Sequence, residues 1–403
     1  MQKPFVKEGF PAQIGPIPFL GLALLSQTGM SFVQQGLVIL GTFFAVAYQL
    51  NLTELGLVTT ALSTGVMVSM VFVGVAVDRL GPRNVLFVGA ALMAGACSLL
   101  FFARTFSVLL VVLFFVGTFL AIVPSTGTKA VFSAFANRPR GLVMGIRQTG
   151  VPLGAALAAW SLPRWAPHFG LHFVYEIFVV ELLVTGWLFA SMIPRPAARV
   201  GPTVHVRLER RHWLRLIGPV CVAFLLVSGQ YILLTYSISD LHREHGLSLA
   251  LAGTILAFSQ IGGGTGRILL GQVSDLAHGR RTPVIAFTAL LGALTAFCVG
   301  ALPKNAPIWL LFGIWALFGV GAAGWNALVL TWAGESVPSS HSGLAMSLIG
   351  SVVFLGSAVF PPLFGFTVDT THHLFAGWWT LSGILTVAAV TALVAGRREK
   401  PAL

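Results

Sequence analysis

Gly74-Val-Ala-Val-Asp78-Arg79-Leu-Gly81-Pro-Arg83 follows an apolar run over 54–76. A second copy of the pattern, Gly271-Gln-Val-Ser-Asp275-Leu-Ala-His-Gly279-Arg280-Arg281, follows another apolar run over 249–272. Both read glycine, three residues, aspartate, then a glycine with arginine beside it, about 197 residues apart. A further pair keeps nearly that spacing: Gly141-Leu-Val-Met144 with Gly154, and Gly343-Leu-Ala-Met346 with Gly356, offset by 202. Two matched pairs at nearly one offset mark a duplicated unit.

The unit belongs in a membrane. Of 403 residues, 56% are apolar and only 9% charged, and mean hydropathy is +0.89. A soluble domain carries roughly 25% charged residues, so this chain cannot cover a water-facing surface. That excludes most soluble enzymes, nucleic-acid modules and secreted disulfide scaffolds. Cys97, Cys221 and Cys298 each sit in an apolar run, with no spacing for a disulfide framework or a metal. Ala45-Val46-Ala47 lies too far along to end a signal peptide, and the first apolar segment is long enough to span.

A spanning helix needs about 20 mostly apolar residues. Twelve such segments can be drawn, near 18–42, 54–76, 84–103, 107–133, 142–162, 172–193, 214–237, 249–272, 283–302, 307–332, 343–364 and 374–396. Asn51 or Thr53 is placed to cap the second, and Gly81-Pro82 and Pro303 end helices. One long polar stretch near 195–212 divides the chain. The expected fold is an all-α membrane protein of twelve transmembrane helices in two pseudo-symmetric six-helix bundles. Residues 1–193 form the first bundle, 194–212 a cytoplasmic linker and 213–403 the second bundle.

With the N-terminus inside, the inside loops and tails hold seventeen Lys and Arg and the outside loops four. That bias places both termini in the cytoplasm and accounts for the net charge of +12, which meets anionic lipid head groups rather than nucleic acid. Lys129, Arg147 and Arg267 remain, and all three fall inside spans.

The Gly-x-x-x-Asp-Arg-x-Gly-x-Arg loop and the duplicated six-span unit resemble the major facilitator superfamily over essentially the whole chain. The resemblance implies that Asp78, Arg79, Gly81 and Arg83, with Asp275 and Arg280 in the second copy, act in gating on the cytoplasmic side. It also implies a cavity lined by spans 1, 4, 7 and 10. The Arg267-x-x-x-Gly271-x-x-x-Asp275 segment is similar to span eight of oxalate- and lactate-type monocarboxylate carriers, where that arginine holds the substrate carboxylate. The monocarboxylate carriers among them have an aspartate four residues earlier, at the position of Gly263 here. The run from Asn137 to Gly154 resembles bacterial organic-anion members.

Charges inside a bilayer cost about 2.5–3.5 kcal/mol each on insertion scales and usually face a cavity or a partner. Gln260, Gly263 or Gly264, Arg267 and Gly271 share one helical face, small and polar enough to wall a pathway. Lys129 shares a face with Thr126 and Ser133. Polar stripes add Gln27, Ser31 and Gln34 in span one, Ser228, Tyr231 and Thr235 in span seven, and Asn326 in span ten. The substrate-binding candidates are therefore Arg267, Lys129, Arg147, Gln34, Tyr231, Gln260 and Asn326. Glu181 is the one acid clearly at mid-membrane and a candidate proton relay.

A pathway with cations and no central carboxylate selects anions. The reading is a secondary active transporter of small mono- or dicarboxylates working by alternating access, as a proton symporter or an anion exchanger, in the bacterial inner membrane. Arg267 holds one carboxylate, and Lys129 or Arg147 supplies a second positive site. No cofactor or metal is implied, and a monomer suffices. The alternative is an exporter of amphipathic drugs or lipids. A membrane sensor or a membrane enzyme finds less support: there is no room for a soluble domain, no nucleophile–base pair stands out, and His372-His373 is a lone pair in a loop.

Overall fold

The computed structural model describes residues 15–135, 140–194, 209–277, 280–338 and 341–396. Lys3, Lys7, Arg138, Gly279, Arg397, Arg398, Lys400 and most of the expected linker, with Arg195, Arg199 and Arg207, lie outside them.

The chain threads back and forth as α1 (Pro16–Tyr48), α2 (Leu52–Leu80), α3 (Pro82–Phe102), α4 (Phe106–Ala134), α5 (140–169), α6 (171–192), α7 (Arg210–Arg243), α8 (Leu249–Leu276), α9 (Arg281–Ala301), α10 (Ile308–Glu335), α11 (Ser342–Thr371) and α12 (Leu374–Gly396). Among the described residues ten stretches are long and apolar enough to cross a bilayer. One of them holds both α5 and α6, which Gly170 separates by adopting φ 82°. The remaining helix is α8, whose glycines, Gln260 and Arg267 dilute its hydropathy. We call the face carrying the start of α1 and the end of α12 the terminal face, and the other the opposite face.

Local chemistry sets the ends. Asn51 caps α2, accepting from Glu54 N at 2.8 Å, while the Glu54 carboxylate accepts from Asn51 N at 3.0 Å. Gly81 turns the chain between α2 and α3 at φ 81°, which glycine adopts without strain, and Pro82 opens the next helix. Several helices outrun their apolar cores: α1 reaches Tyr48 and α7 starts at Arg210, inside the stretch read as linker to 212. Hydropathy marks only the hydrocarbon-spanning part, and polar helix ends continue into the head-group layer. Among the described residues four helices are interrupted along their length, α1 at Leu40, α4 at Ala121, α5 at Thr149 and α10 at Gly324–Trp325.

The duplication is visible in the packing. Within the first bundle α1 packs on α5 and α6, α2 on α4, and α3 on α6. Within the second α7 packs on α11 and α12, α8 on α10, and α9 on α12. The bundles meet along α2 with α11 and α5 with α8. The matched glycines do matched work. A side chain at Gly154 would strike the Phe32 N of α1 at 2.6 Å, and one at Gly356 the Phe224 O of α7 at 2.9 Å. Without a hydrophobic drive between helices in lipid, such close backbone approach is a main source of packing energy.

Gly319 of α10 is the tightest case, since an added Cβ would lie 2.8 Å from Ser259 Cα and 2.6 Å from its carbonyl carbon on α8. Backbone cannot yield as a flexible side chain does. Gly319→Val is expected to destabilise the second bundle by about 1–3 kcal/mol, the range for overpacking. A lowered thermal midpoint of purified protein at fixed scan rate checks it; an unchanged midpoint would mean that α8 and α10 separate freely.

Candidate anion site between the bundles

Arg267 lies on α8 against the interruption of α10. Its Nε donates to the Ala323 carbonyl at 3.0 Å, where the first segment of α10 ends. Among the described residues this is its one hydrogen-bond acceptor, and no carboxylate pairs with it. Asp275, two turns further along α8, pairs instead with Arg281. The forked end of the guanidinium therefore keeps its donors unspent.

Tyr231 of α7, 4% exposed, has its phenol beside Gln35 of α1 and Ser357 of α11, within the field of Arg267. Groups from α1, α7 and α11 thus gather at Tyr231, and Arg267 of α8 is near enough to act on its charge. Of this cluster the sequence marks Arg267 and Tyr231. Gln35 and Ser357 escape it because each sits one residue beyond a feature already read, the Gln27-Ser31-Gln34 stripe and the repeat glycine Gly356. Gln260, two turns from Arg267 on α8, is buried with its Nε2 lacking a partner among the described residues. Gln34 is buried on α1, and Asn326 is half-buried where α10 restarts.

The glycine run of α8 packs rather than walls a pathway. A Cβ at Gly263 would lie 2.8 Å from Ala323 Cβ, and one at Gly264 3.2 Å from the Pro152 ring of α5. Close packing brings the α10 backbone within reach of Arg267.

The other two cations are already engaged. Arg147 is 1% exposed. Its Nη2 donates to Gln27 Oε1 at 2.6 Å and Val123 O at 3.1 Å, and its Nη1 to Thr128 Oγ1 at 3.3 Å. The guanidinium fits because Gly127 has no side chain to fill that space. Lys129 donates to Asp78 Oδ1 at 2.6 Å and to Val77 O at 3.2 Å, tying α4 to the end of α2. The expected second positive site from Lys129 or Arg147 is thus spent on protein partners in this conformation. Within its stripe, Gln27 also donates to Ser31 Oγ at 3.4 Å. Of the α7 stripe, Ser228 bonds its own helix and Thr235 meets Thr59 of α2 at 3.1 Å.

The gating candidates divide likewise. Asp78 pairs with Lys129 inside its own bundle, and the pair is largely exposed, so its worth is about 0–1 kcal/mol. Arg79 is exposed and Arg83 half-buried. In the second copy the partner of Asp275 is Arg281, not Arg280. Arg281 opens α9 and bridges Asp275 to Glu335 at the end of α10, whereas Arg280 precedes the helix and is exposed. Glu181 of α6 lies against Gly29 of α1, inside the first bundle and off the cluster around Arg267. Its Oε1 accepts from Thr185 at 2.9 Å, and its buried Oε2 has no partner among the described residues.

Comparison with known proteins places this architecture. The family model for the Major Facilitator Superfamily matches residues 19–276 and 219–403. An uncharacterized MFS-type transporter of Mycobacterium tuberculosis is 29% identical over 342 residues, covering 84% of this chain and 76% of the relative. The hexuronate transporter of Bacillus subtilis is 26% identical over 373 residues, 86% of each chain. The crystal structure of a point mutant of the nucleoside transporter NupG superposes with a TM-score of 0.76 at 15% identity, covering 94% of this chain and 99% of that one. With the family model spanning both bundles and the same helix arrangement in a solved transporter, the chain belongs to the Major Facilitator Superfamily: it is a membrane transporter and not an enzyme.

Proposed function

We propose that this transporter carries small organic anions, mono- or dicarboxylates, by alternating access, and that Arg267 binds the carboxylate. The observation that carries the reading is a cation on a helix of the second bundle, near the Tyr231 cluster that draws on both bundles, with one backbone carbonyl as its hydrogen-bond acceptor among the described residues. Such a charge is costly to keep unpaired, and a bound carboxylate relieves that cost through two parallel hydrogen bonds. The relative that carries hexuronate, a carboxylate, supports the same class.

In this reading the bundles 1–193 and 213–403 rock about the cluster, and the terminal face, rich in Arg and Lys, is cytoplasmic. The proton of a symport cycle travels on the substrate carboxylate or through Glu181; an exchanger needs neither.

Flux into proteoliposomes tests it, with a panel of mono- and dicarboxylates, neutral sugars, inorganic anions and lipophilic cations. Carboxylate-selective uptake supports the reading. Transport of lipophilic cations alone would replace it with the exporter of amphipathic compounds. Dependence on an imposed pH gradient, or on a counter-anion inside, separates symport from exchange.

A further inference from the structure

Hydrogen bonds that join the two bundles concentrate toward the opposite face. Near its end α11 presents Asp369 to the start of α2 in the other bundle. The carboxylate accepts from Leu52 N at 3.2 Å, from Thr53 N at 2.8 Å and from Thr53 Oγ1 at 2.5 Å. Asn51 already caps this helix through Glu54 N, which leaves the two preceding N–H groups for a second acceptor. Asp369 supplies it, at the positive end of the α2 dipole.

Tyr236 of α7, fully buried, adds a second tie. Its hydroxyl lies 2.8 Å from Leu52 O and 2.7 Å from Pro361 O, between the start of α2 and the middle of α11. The backbones are also in contact there. A Cβ at Gly365 would sit 2.5 Å from Thr53 N, and one at Gly56 2.5 Å from Pro362 Cα. Further along, Thr60 Oγ1 donates to Ala358 O at 2.6 Å. Apart from the contact of Tyr236 with Pro361, which lies within the second bundle, each of these links crosses from one bundle to the other.

We propose that Asp369, with Thr53 and Tyr236, is the latch that holds the opposite face shut, so that each transport cycle must withdraw a carboxylate of α11 from the N-terminus of α2. The proposal rests on the alternating-access reading for its role in transport. The bonds to the Asp369 carboxylate are of the charge-assisted kind, stronger than the neutral ones that Tyr236 makes. They exist only while the bundles touch at this end, so they favour the closed state alone and set its population. The glycines let the helix ends come close enough for the carboxylate to reach the backbone.

The test uses the full chain without its three cysteines, with spin labels on Ala47→Cys and His373→Cys, exposed positions at the opposite face, one in each bundle. The parent is expected to give one short distance. Asp369→Ala is expected to raise the ratio of a longer-distance population to the short one by about 10-fold or more. Asp369→Glu is expected to recover most of the closed population, and Thr53→Val to open it less than Asp369→Ala does. Should Asp369→Ala fail to fold, Thr53→Val and Tyr236→Phe carry the test.

Distances unchanged in folded Asp369→Ala, or unchanged in both replacement variants, would overturn the latch. Carboxylate flux through the parent is measured alongside. Flux with unchanged distances would retain the carrier and discard the latch. Absence of flux with a shifted distance would retain the latch and discard the substrate reading.

Discussion

Arg267→Ala is expected to weaken carboxylate binding about 100-fold while leaving the folded protein as stable as its parent. The two effects part because of how this arginine is held. Among the described residues its hydrogen bonding is a single bond from Nε to Ala323 O, worth about 1 kcal/mol net. Removing an unpaired charge from the bilayer interior returns a similar amount or more. Affinity depends on the forked end, whose charge-assisted bonds to a carboxylate are worth about 3 kcal/mol or more in a low-dielectric site. Arg267→Lys keeps the charge but presents a point, not a fork, and is expected to recover at most about 10-fold. Thermal shifts across a carboxylate titration read both quantities in one experiment. Full affinity in Arg267→Ala would remove this residue from the site and leave the cluster around Tyr231 without an anchor for an anion.

The opposite split is expected for Arg147→Ala. This side chain is spent on Gln27, Thr128 and the Val123 carbonyl, and is almost completely enclosed. Truncation deletes these bonds, strands the buried Gln27 amide and opens a void over Gly127. The expected cost is about 1–3 kcal/mol, the range for leaving buried polar partners unsatisfied, since removing a buried charge that has only neutral partners offsets part of the loss. It shows as a clear fall in thermal midpoint, with carboxylate affinity of the folded fraction held within about 3-fold. Arg147→Lys restores little, because one ammonium cannot reach acceptors on α1 and α4 together. A stable Arg147→Ala protein that has lost affinity would show that this guanidinium leaves its pocket to meet the substrate, as the sequence reading of a second cation supposes.

These expectations turn on a distinction that hydropathy cannot draw. Arg147 and Arg267 look alike in sequence, each a cation in an apolar run beside glycines. The forked end of one is engaged and that of the other is not, because Gln27 and the carbonyl near the α4 interruption converge on the first, although its buried Nε has no partner among the described residues. Convergence of side chains from α1, α4 and α5 is a property of the folded bundle. Lys129 is the same kind of case: its pairing with Asp78 links two features that the sequence presents as a binding residue and a gating motif. In the second repeat, adjacent arginines compete for Asp275, and the start of α9 decides for Arg281.

The class of molecule and its plan are legible in the order of residues alone. Apolar runs of the length of a bilayer, a polar break in the middle and two motifs repeated at one offset suffice, because lipid leaves a spanning chain no choice but to satisfy its backbone within helices. The repeat even marks Gly154 and Gly356 as equivalents, and both prove to be points of backbone contact. Only the tertiary structure decided which polar groups are free. Whether a charge is available to a substrate depends on every donor and acceptor within about 3 Å of it, and those come from helices far apart in the chain. The latch shows this most directly: Asp369 and Thr53 are 316 residues apart, and nothing local to either announces the other.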